Sequence, residues 1–179
     1  MGHPVLRAKA KPVSREDITS PRIQRLIDDM FDTMREYSGI GLAAPQVHEG
    51  LRLFVAGIRP VESLPGDFGG ADDDEEMPLI ALVNPQITPV GDVIEPGWEG
   101  CLSIPDVRGL VPRAADVRVD AYDRKGRKVT LKAHGLPARV IQHETDHLDG
   151  VLFFDRMRTL QTLTFMDEYQ RYWNKVEES

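Results

Sequence analysis

The chain has 179 residues, a length typical of one compact domain that buries its own hydrophobic core. Hydrophobic residues make up 41% of the chain and charged residues 28%, which is the balance of an ordinary globular protein. The formal net charge of −7 disfavours nucleic-acid binding through neutralised phosphates, and the single cysteine excludes an internal disulfide framework and fits a reducing compartment.

The pattern of apolar residues predicts neither a membrane protein nor a secreted one. No apolar run approaches the roughly 20 residues of a membrane span. Residues 1–14 lack the apolar stretch of a secretory signal, and no long Arg-rich presequence precedes the fold. A cytoplasmic protein with one domain over residues 1–179 is the simplest interpretation, and a trimmed organellar form is the alternative.

The N-terminal half is predicted to contain one amphipathic helix and two short strands. Ser20 can cap the first turn of the helix and Pro21 fits its first position, while the end falls near Ser38 and Gly39. Apolar side chains at helical spacing predict one buried face: Ile23, Leu26, Ile27, Met30 and Met34. Residues 51–58 and 79–83 are short apolar runs typical of strands. The acidic segment 60–78 lacks the alternation of an EF-hand loop, so we expect a mobile, solvated loop.

The C-terminal half is predicted to form a hairpin followed by two helices. Residues 117–121 and 129–133 alternate between apolar and polar side chains on either side of a turn at 123–126. Pro137 can open the next helix and Gly150 can close it. A last helix is expected over residues 159–176, because one apolar face repeats along it: Leu160, Leu163, Met166, Tyr169, Trp173 and Val176.

Residues 143–147 read H-E-T-D-H, which is the pattern H-E-x-x-H on a predicted helix. Side chains four residues apart lie on one helical face, so His143 and His147 can bind one divalent metal with Glu144 beside it. The only cysteine, Cys101, lies in a glycine-flanked turn and offers a thiolate that suits zinc, ferrous iron, nickel or cobalt. Three protein ligands leave a fourth position open, which predicts hydrolysis by metal-activated water. The alternative is a helix with two surface histidines and no metal.

Three segments together resemble the signature motifs of the peptide deformylase family. They are G-I-G-L-A-A-P-Q at 39–46, E-G-C-L-S at 99–103 and H-E-T-D-H at 143–147. They occur in the family's order with compatible spacing, and the resemblance extends from Pro4 to Asp155. His3 departs from the family, which often has Asp before the first proline, but this position has no catalytic role. The resemblance implies an α+β fold with antiparallel β-strands packed around a central metal-binding helix.

The resemblance implies an enzyme that removes the formyl group from the N-terminal formylmethionine of newly made polypeptides and releases formate. It assigns Cys101, His143 and His147 as the ligands of one divalent metal. Ferrous iron is the implied physiological metal, and isolated protein can carry zinc, nickel or cobalt instead. Glu144 becomes the general base and later the general acid.

The resemblance also implies how the substrate is held. Gln46 and the backbone N–H of Leu102 become donors to the oxyanion, each worth roughly 3–4 kcal/mol by analogy with other acyl-transfer enzymes. Six further residues are assigned to substrate binding: Gly39, Ile40, Gly41, Gly100, Leu136 and Val140. The three apolar side chains of this set form a slot for the methionine side chain, although Leu136 and Val140 fit plain helix packing equally well. The peptide backbone pairs as an added strand beside Gly41.

Two other functions stay open at this level. A zinc endopeptidase would use a downstream glutamate as its third ligand, and Glu168 follows the second histidine by 168 − 147 = 21 residues. A metal-stabilised docking module on the ribosome is the second alternative. Such a module would use basic side chains of the C-terminal segment: Arg156, Arg158, Arg171 and Lys175. Acidic residues lie among them and offset their positive charge, so the charge pattern does not predict ribosome association.

Two residues near the motifs have open roles. Asp146 lies on the metal helix and either pairs with a partner such as Arg113, which would fix the helix orientation, or is an exposed carboxylate. Trp98 either lines the rim of the pocket or covers the hairpin predicted over residues 117–133.

Overall fold

The computed structural model describes residues 1–58 and 77–174. In chain order the strands are β1 (Gly41–Ala43), β2 (Leu53–Ile58), β3 (Met77–Pro89), β4 (Ile94–Cys101), β5 (Ile104–Ala114), β6 (Asp116–Tyr122), β7 (Lys128–His134) and β8 (Thr164–Phe165). The helices are α1 (Pro21–Glu36), α2 (Gly135–Leu148) and α3 (Met166–Tyr172), and short 3-10 turns connect several elements. Among the described residues, no helix is long and apolar enough to cross a membrane. The expected acidic loop lies outside these residues, except that Met77 and Pro78 begin β3.

The strands form two antiparallel sheets. The larger sheet has the order β1-β2-β3-β6-β7, so β1 lies at its edge, and the smaller sheet has the order β4-β5-β8. The predicted hairpin is confirmed as β6 and β7, which pair from Asp116 and His134 to Tyr122 and Lys128. The predicted α+β fold with antiparallel strands is confirmed.

Helix α1 covers one face of the larger sheet. The Oγ of Ser20 accepts a hydrogen bond from the Ile23 N–H at 3.4 Å, which caps the helix as predicted. The predicted stripe packs with alternate residues of β2, since Leu53 and Val55 belong to the same buried cluster as Ile27. The helix prediction is therefore confirmed, including its buried face.

Helix α2 packs against the opposite face of the larger sheet. The residues of β2 that point away from α1, Phe54 and Ala56, are fully buried in the cluster that contains Ala138 and Ile141 of α2. The helix therefore lies between the larger sheet and the β4–β5 hairpin, which contacts its other side. Gly135 begins the helix two residues before the predicted Pro137, and its end at Leu148 agrees with the predicted stop before Gly150.

The sequence patterns assigned no strand to residues 94–114, yet these residues form the β4–β5 hairpin. The two strands pair from Ile94 and Ala114 to Cys101 and Ile104, with a register shift between Glu99 and Cys101. Cys101 therefore ends a strand, and the predicted turn at this cysteine is limited to the next two residues. A register shift of this kind changes the direction of side chains beside it.

The predicted C-terminal helix over 159–176 is wrong in its extent. Residues 164–165 pair with Val107 and Arg108 as β8, Leu160–Thr162 forms a 3-10 turn, and in the described part of this segment only Met166–Tyr172 is α-helical. Residues 175 and 176 of the prediction lie outside the described part of the chain. The free edge of β5 offers hydrogen-bond partners that a helix at these positions would forgo.

The ring of Trp98 on β4 packs against the C-terminal segment, whereas the second of its predicted roles placed it over the β6–β7 hairpin. Its ring lies 5.0 Å from that of Tyr169 and 5.4 Å from that of Trp173, measured between ring centroids. Tyr169 is buried there. The C-terminal segment is thus packed on the side of β4 that faces away from α2.

Candidate active site

Two elements bring three metal-ligating side chains together. His143 and His147 lie one turn apart on α2, and Cys101 comes from the last residue of β4. One ligand atom from each residue lies within 4.8 Å of the other two, and the Cys101 Sγ is 3.2 Å from the His147 Nε2. The structure thus brings together the three residues that the sequence assigned to the metal.

The chemistry of these donors fits a catalytic divalent metal. A thiolate and two imidazoles suit zinc, ferrous iron, nickel or cobalt, and a set of three leaves a position for water or substrate. Two of the three donors are buried, since Cys101 belongs to an apolar cluster with Ile104, Val111 and Phe153 and His147 is almost fully covered, whereas His143 is partly exposed.

His143 is held by a buried carboxylate. Its Nδ1 lies 2.9 Å from the Glu99 Oε2, so Nε2 is the nitrogen that could bind a metal. Arg113 donates to both Glu99 oxygens, at 2.9 and 3.0 Å, and Arg139 donates to Oε1 at 2.9 Å. Burial raises the pKa of Glu99, but the hydrogen bonds from His143 and Arg113 outweigh it and lower the pKa to about 2. Glu99 is therefore ionised at any pH at which the protein works.

A second buried carboxylate extends this network along α2. Asp146 accepts from Arg113 at 2.5 Å and from Arg156 at 2.7 Å, so the predicted contact of Asp146 with Arg113 is confirmed. Burial lowers the pKa of Arg113, yet its bonds to Glu99 and Asp146 outweigh that effect and raise it. Arg113 thus ties β5 to α2 through two buried carboxylate side chains.

His147 has a different environment. It is 1% exposed, and its Nδ1 has no hydrogen-bond partner within residues 1–58 and 77–174. Burial lowers the pKa of His147 well below its usual value, and the positive field of His143 adds to this shift. The pKa of His143 is raised instead, because hydrogen bonds to Cys101 and Glu99 outweigh burial. The two histidines are thus held by different means, one by hydrogen bonds and the other by packing.

Glu144 lies between α2 and the edge strand β1. The side chain is 4% exposed, and a Cβ built on Gly41 would come within 2.3 Å of its Oε1. Only glycine at position 41 leaves room for this carboxylate. Burial raises the pKa of Glu144 to about 7, although the charge of His143 opposes the shift. A carboxyl group with a pKa near neutrality can both accept and return a proton.

Gln46 points its amide nitrogen toward Cys101. Its Oε1 accepts a hydrogen bond from the Ala43 N–H at 2.8 Å, which fixes the orientation of the amide. Its Nε2 then lies 3.5 Å from the Cys101 Sγ and 3.2 Å from the Ser103 Oγ. Leu102 occupies the turn directly after Cys101 and is exposed. Both predicted oxyanion donors therefore lie beside the cysteine.

The six residues assigned to substrate binding lie around this cluster. Leu136 and Val140 lie one turn apart on α2, and both belong to the same apolar cluster as Ile40. A Cβ on Gly39 would lie 3.0 Å from a methyl of Leu102, so this glycine adjoins the turn after the cysteine.

Gly100 gives space to another side chain. A Cβ at this position would lie 1.6 Å from the Nη1 of Arg108, so the guanidinium lies directly over the backbone beside Cys101.

Glu168, the third ligand of the endopeptidase alternative, does not join the cluster. It lies on α3, its side chain is half exposed, and it pairs with Arg171 at 3.5 Å. Within the described residues, the only group of three potential ligands is the one that contains Cys101. The geometry therefore favours the cysteine as the third ligand.

A helix that presents two imidazoles and a buried carboxylate beside one thiol defines a metal-dependent hydrolase. Comparison with known proteins identifies the family. The chain matches the polypeptide deformylase family over residues 1–163. It is 45% identical to peptide deformylase 1 of Bordetella pertussis over 160 residues, which cover 89% of this chain and 86% of that protein. It is 43% identical to peptide deformylase 2 of a Nostoc species over 176 residues, which cover 98% and 93% of the two chains.

Solved structures give the same result. The chain is similar to a class I type b peptide deformylase from Acinetobacter baumannii, solved with Met-Ala-Ser bound, with a TM-score of 0.79 and 39% identity. The similarity covers 88% of this chain and 94% of the other. The chain therefore belongs to the peptide deformylase family. It is an enzyme of protein biosynthesis that removes the formyl group from the N-formylmethionine of nascent polypeptides, and its family is metal-dependent.

Sequence reasoning missed part of the site. It placed Glu99 in a motif without giving it a contact, and it did not single out Arg139. A signal for both existed, because Arg139 precedes His143 by one helical turn and an acidic residue precedes the cysteine. The pairing of β4 with β5, which the patterns did not predict, was needed to bring these residues together.

Proposed function

We propose that Cys101, His143 and His147 hold one divalent metal and that Glu144 is the general base of deformylation. The observation that carries the proposal is the convergence of three ligand atoms within 4.8 Å beside a buried carboxylate. Ferrous iron is the proposed physiological metal, following the resemblance to the family, and zinc, nickel or cobalt suit the same ligands. The proposed location is the cytoplasm, where formylated chains are made.

When bound, the metal would polarise the formyl oxygen and lower the pKa of water. Glu144 takes a proton from the attacking water at its carboxylate oxygen. The same carboxyl group then returns the proton to the amine that leaves. A pKa of about 7 suits both transfers, because the proton is held only loosely near neutral pH.

The amide of Gln46 and the N–H of Leu102 are the proposed donors to the oxygen of the tetrahedral carbon. Gln46 is oriented in advance, since Ala43 already binds its oxygen and leaves the nitrogen facing the cysteine. A donor fixed in this way needs no reorganisation when charge develops, and its removal costs about 10²–10³-fold in kcat. Gln46→Leu is expected to lower kcat by this factor with little change in metal content.

The substrate peptide is proposed to pair with β1. This strand ends the larger sheet in the described part of the chain, so one side of it can accept an added strand. Ile40, Leu136 and Val140 are the proposed wall of the methionine slot, and Gly39, Gly41 and Gly100 are the proposed backbone positions beside the bound peptide. A formyl group has only hydrogen beyond its carbonyl carbon, so a tight site admits formyl and rejects acetyl.

The ligand set is tested by metal content. Cys101→Ala is expected to lose the metal, and Glu168→Gln is expected to retain it with full activity. The endopeptidase alternative predicts the opposite pair of results. Metal analysis after dialysis, together with cleavage assays on formylated and internal peptides, distinguishes the two.

A further inference from the structure

The proposed metal ligands are divided between two elements that are not neighbours in sequence. Cys101 ends β4, whereas His143 and His147 lie on α2. The distance between thiol and imidazoles therefore depends on how the helix is placed against the β4–β5 hairpin. A shift of one element by a few tenths of an ångström would change the coordination geometry.

One side chain of α2 connects directly to both strands of the hairpin. Arg139 precedes His143 by one helical turn and lies on the side of α2 that faces β4. Its Nη1 donates to the Val111 carbonyl at 2.8 Å and to the Glu99 Oε1 at 2.9 Å. Its Nη2 donates to the Glu95 carbonyl at 2.8 Å. A single guanidinium thus binds the backbone of β4, the backbone of β5 and the carboxylate that holds His143.

The hairpin has a glycine where this guanidinium lies. A Cβ built on Gly97 would come within 2.5 Å of the Arg139 Cζ and 2.6 Å of its Nη2. The φ of Gly97 is not positive, so the backbone conformation at this position does not require glycine. Glycine is required at position 97 because the Arg139 guanidinium occupies the volume that a side chain would need.

We propose that Arg139 is a positioning residue of the metal site and that Gly97 leaves the space in which the Arg139 side chain lies. Two bridges then flank His143 along α2. Arg139 reaches from the helix to the hairpin on one side, and Arg113 reaches from the hairpin to Asp146 on the other. Two bridges fix the helix against both sliding and rotation. This role rests on the proposed ligand set of Cys101, His143 and His147.

The test compares Arg139→Met, Gly97→Ala and the double variant as cobalt-loaded enzymes. The rate at which a chelator removes cobalt and the visible spectrum of the thiolate-bound ion report the geometry of the site. Each single substitution is expected to speed cobalt loss by about 10-fold, as for other residues that orient metal ligands. The double variant is expected to lose cobalt no faster than Arg139→Met, because the three atoms nearest to a Cβ at position 97 all belong to the arginine.

Matched controls separate positioning from general stability. Gly50→Ala adds a methyl group where nothing lies within 4 Å, and Arg118→Met removes an exposed arginine on β6. Both are expected to retain cobalt like the wild type. Melting temperatures identify any variant that does not fold, and Arg139→Lys, which keeps the charge but loses the planar donors, then replaces Arg139→Met.

Two results would overturn the proposal. Cobalt loss and spectra equal to wild type in folded Arg139→Met would show that the bridge does not position the ligands. Additive effects in the double variant would show that Gly97 does not serve Arg139. Failure of the wild type itself to hold cobalt is a different outcome, because it would overturn the ligand set.

Discussion

The two sides of helix α2 hold it in opposite ways. On one side Ala138, Ile141 and Leu148 are buried among apolar residues of the larger sheet. On the other side Arg139 and Asp146 meet the charged groups of the β4–β5 hairpin at hydrogen-bond distance. One helix thus joins a dry apolar core to a buried network of ions, with the proposed metal ligands between them.

The difference shows which forces supply stability and which supply geometry. Burial of apolar area is favourable at roughly 25 cal/mol per Å² and does not depend on direction. A buried ion network costs desolvation, and its net contribution to stability is small or negative compared with apolar residues of the same shape. Its bonds are directional, so it fixes the position of Glu99 and hence of the His143 ring. The apolar side accordingly stabilises the helix, and the charged side orients it.

The largest effect is expected from removing the arginine at the centre of the charged side. Arg113→Met leaves Glu99 and Asp146 buried with fewer partners, and loss of one member of a buried pair costs about 3–5 kcal/mol. Chemical unfolding of the metal-free protein measures this loss. The exposed Arg118→Met is the control and is expected to change the unfolding free energy by less than about 1 kcal/mol. A change as small as this in Arg113→Met would show that Glu99 and Asp146 do not depend on Arg113 for their stability.

The charged side is also expected to make stability depend on acid. The pKa of Glu99 is about 2 in the folded protein, below the value of 4.5 for a free glutamate, so folding favours its ionised form. The contribution of Glu99 to the free energy of unfolding is complete above the pKa that it has in the unfolded chain. It is lost as the pH falls through the pKa that it has in the folded protein, and the loss is roughly 3 kcal/mol. Unfolding free energies of the metal-free wild type and of Glu99→Gln measure it. If the unfolding free energies of the two proteins fell equally steeply with pH between about pH 5 and pH 2, Glu99 would not be the source of the acid sensitivity.

The apolar side is expected to respond in stability alone. Ile141→Val removes one methylene from a core position and is expected to cost about 1 kcal/mol without changing the rate of cobalt loss. The rate of cobalt loss is measured with the same chelator assay that is used for the Arg139 variants. Faster cobalt loss from folded Ile141→Val would erase the distinction between the two sides.

The smallest effect is expected at the outer end of the charged network. Arg156 binds Asp146, but its side chain is half exposed and Asp146 keeps Arg113 as a partner. Arg156→Met is therefore expected to cost about 0.5 kcal/mol. A loss as large as that of Arg113→Met, measured in the same unfolding experiment, would place the centre of the network at Arg156 instead.

Local patterns in the sequence were sufficient to predict the elements whose apolar side chains repeat at the spacing of a helix or a strand. The stripe on α1, its serine cap, and the alternation along β6 and β7 each predicted the observed element. These features depend on residues close in sequence, which is why a single chain reveals them. The motif H-E-x-x-H likewise placed both histidines and Glu144 on one helix.

Features that depend on distant partners were not predictable in this way. The β4–β5 hairpin contains Pro96, Gly97 and Gly100, which weaken any strand pattern, and the pairing of the two strands compensates for them. The C-terminal segment has a helical stripe, but the open edge of β5 binds residues 164–165 as a strand. The contact of Arg139 with Gly97 likewise exists only after the hairpin has formed.

The central claim is that Glu144 moves the proton during deformylation at a metal held by Cys101, His143 and His147. It is tested most directly by formate release from formyl-Met-Ala-Ser, with wild type and Glu144→Gln loaded with ferrous iron under anaerobic conditions and an acetylated peptide as control. The account predicts rapid release by the wild type, a rate lower by roughly 10³-fold in the variant at equal metal content, and no reaction of the acetylated peptide. Equal rates in the two metal-loaded proteins would contradict it.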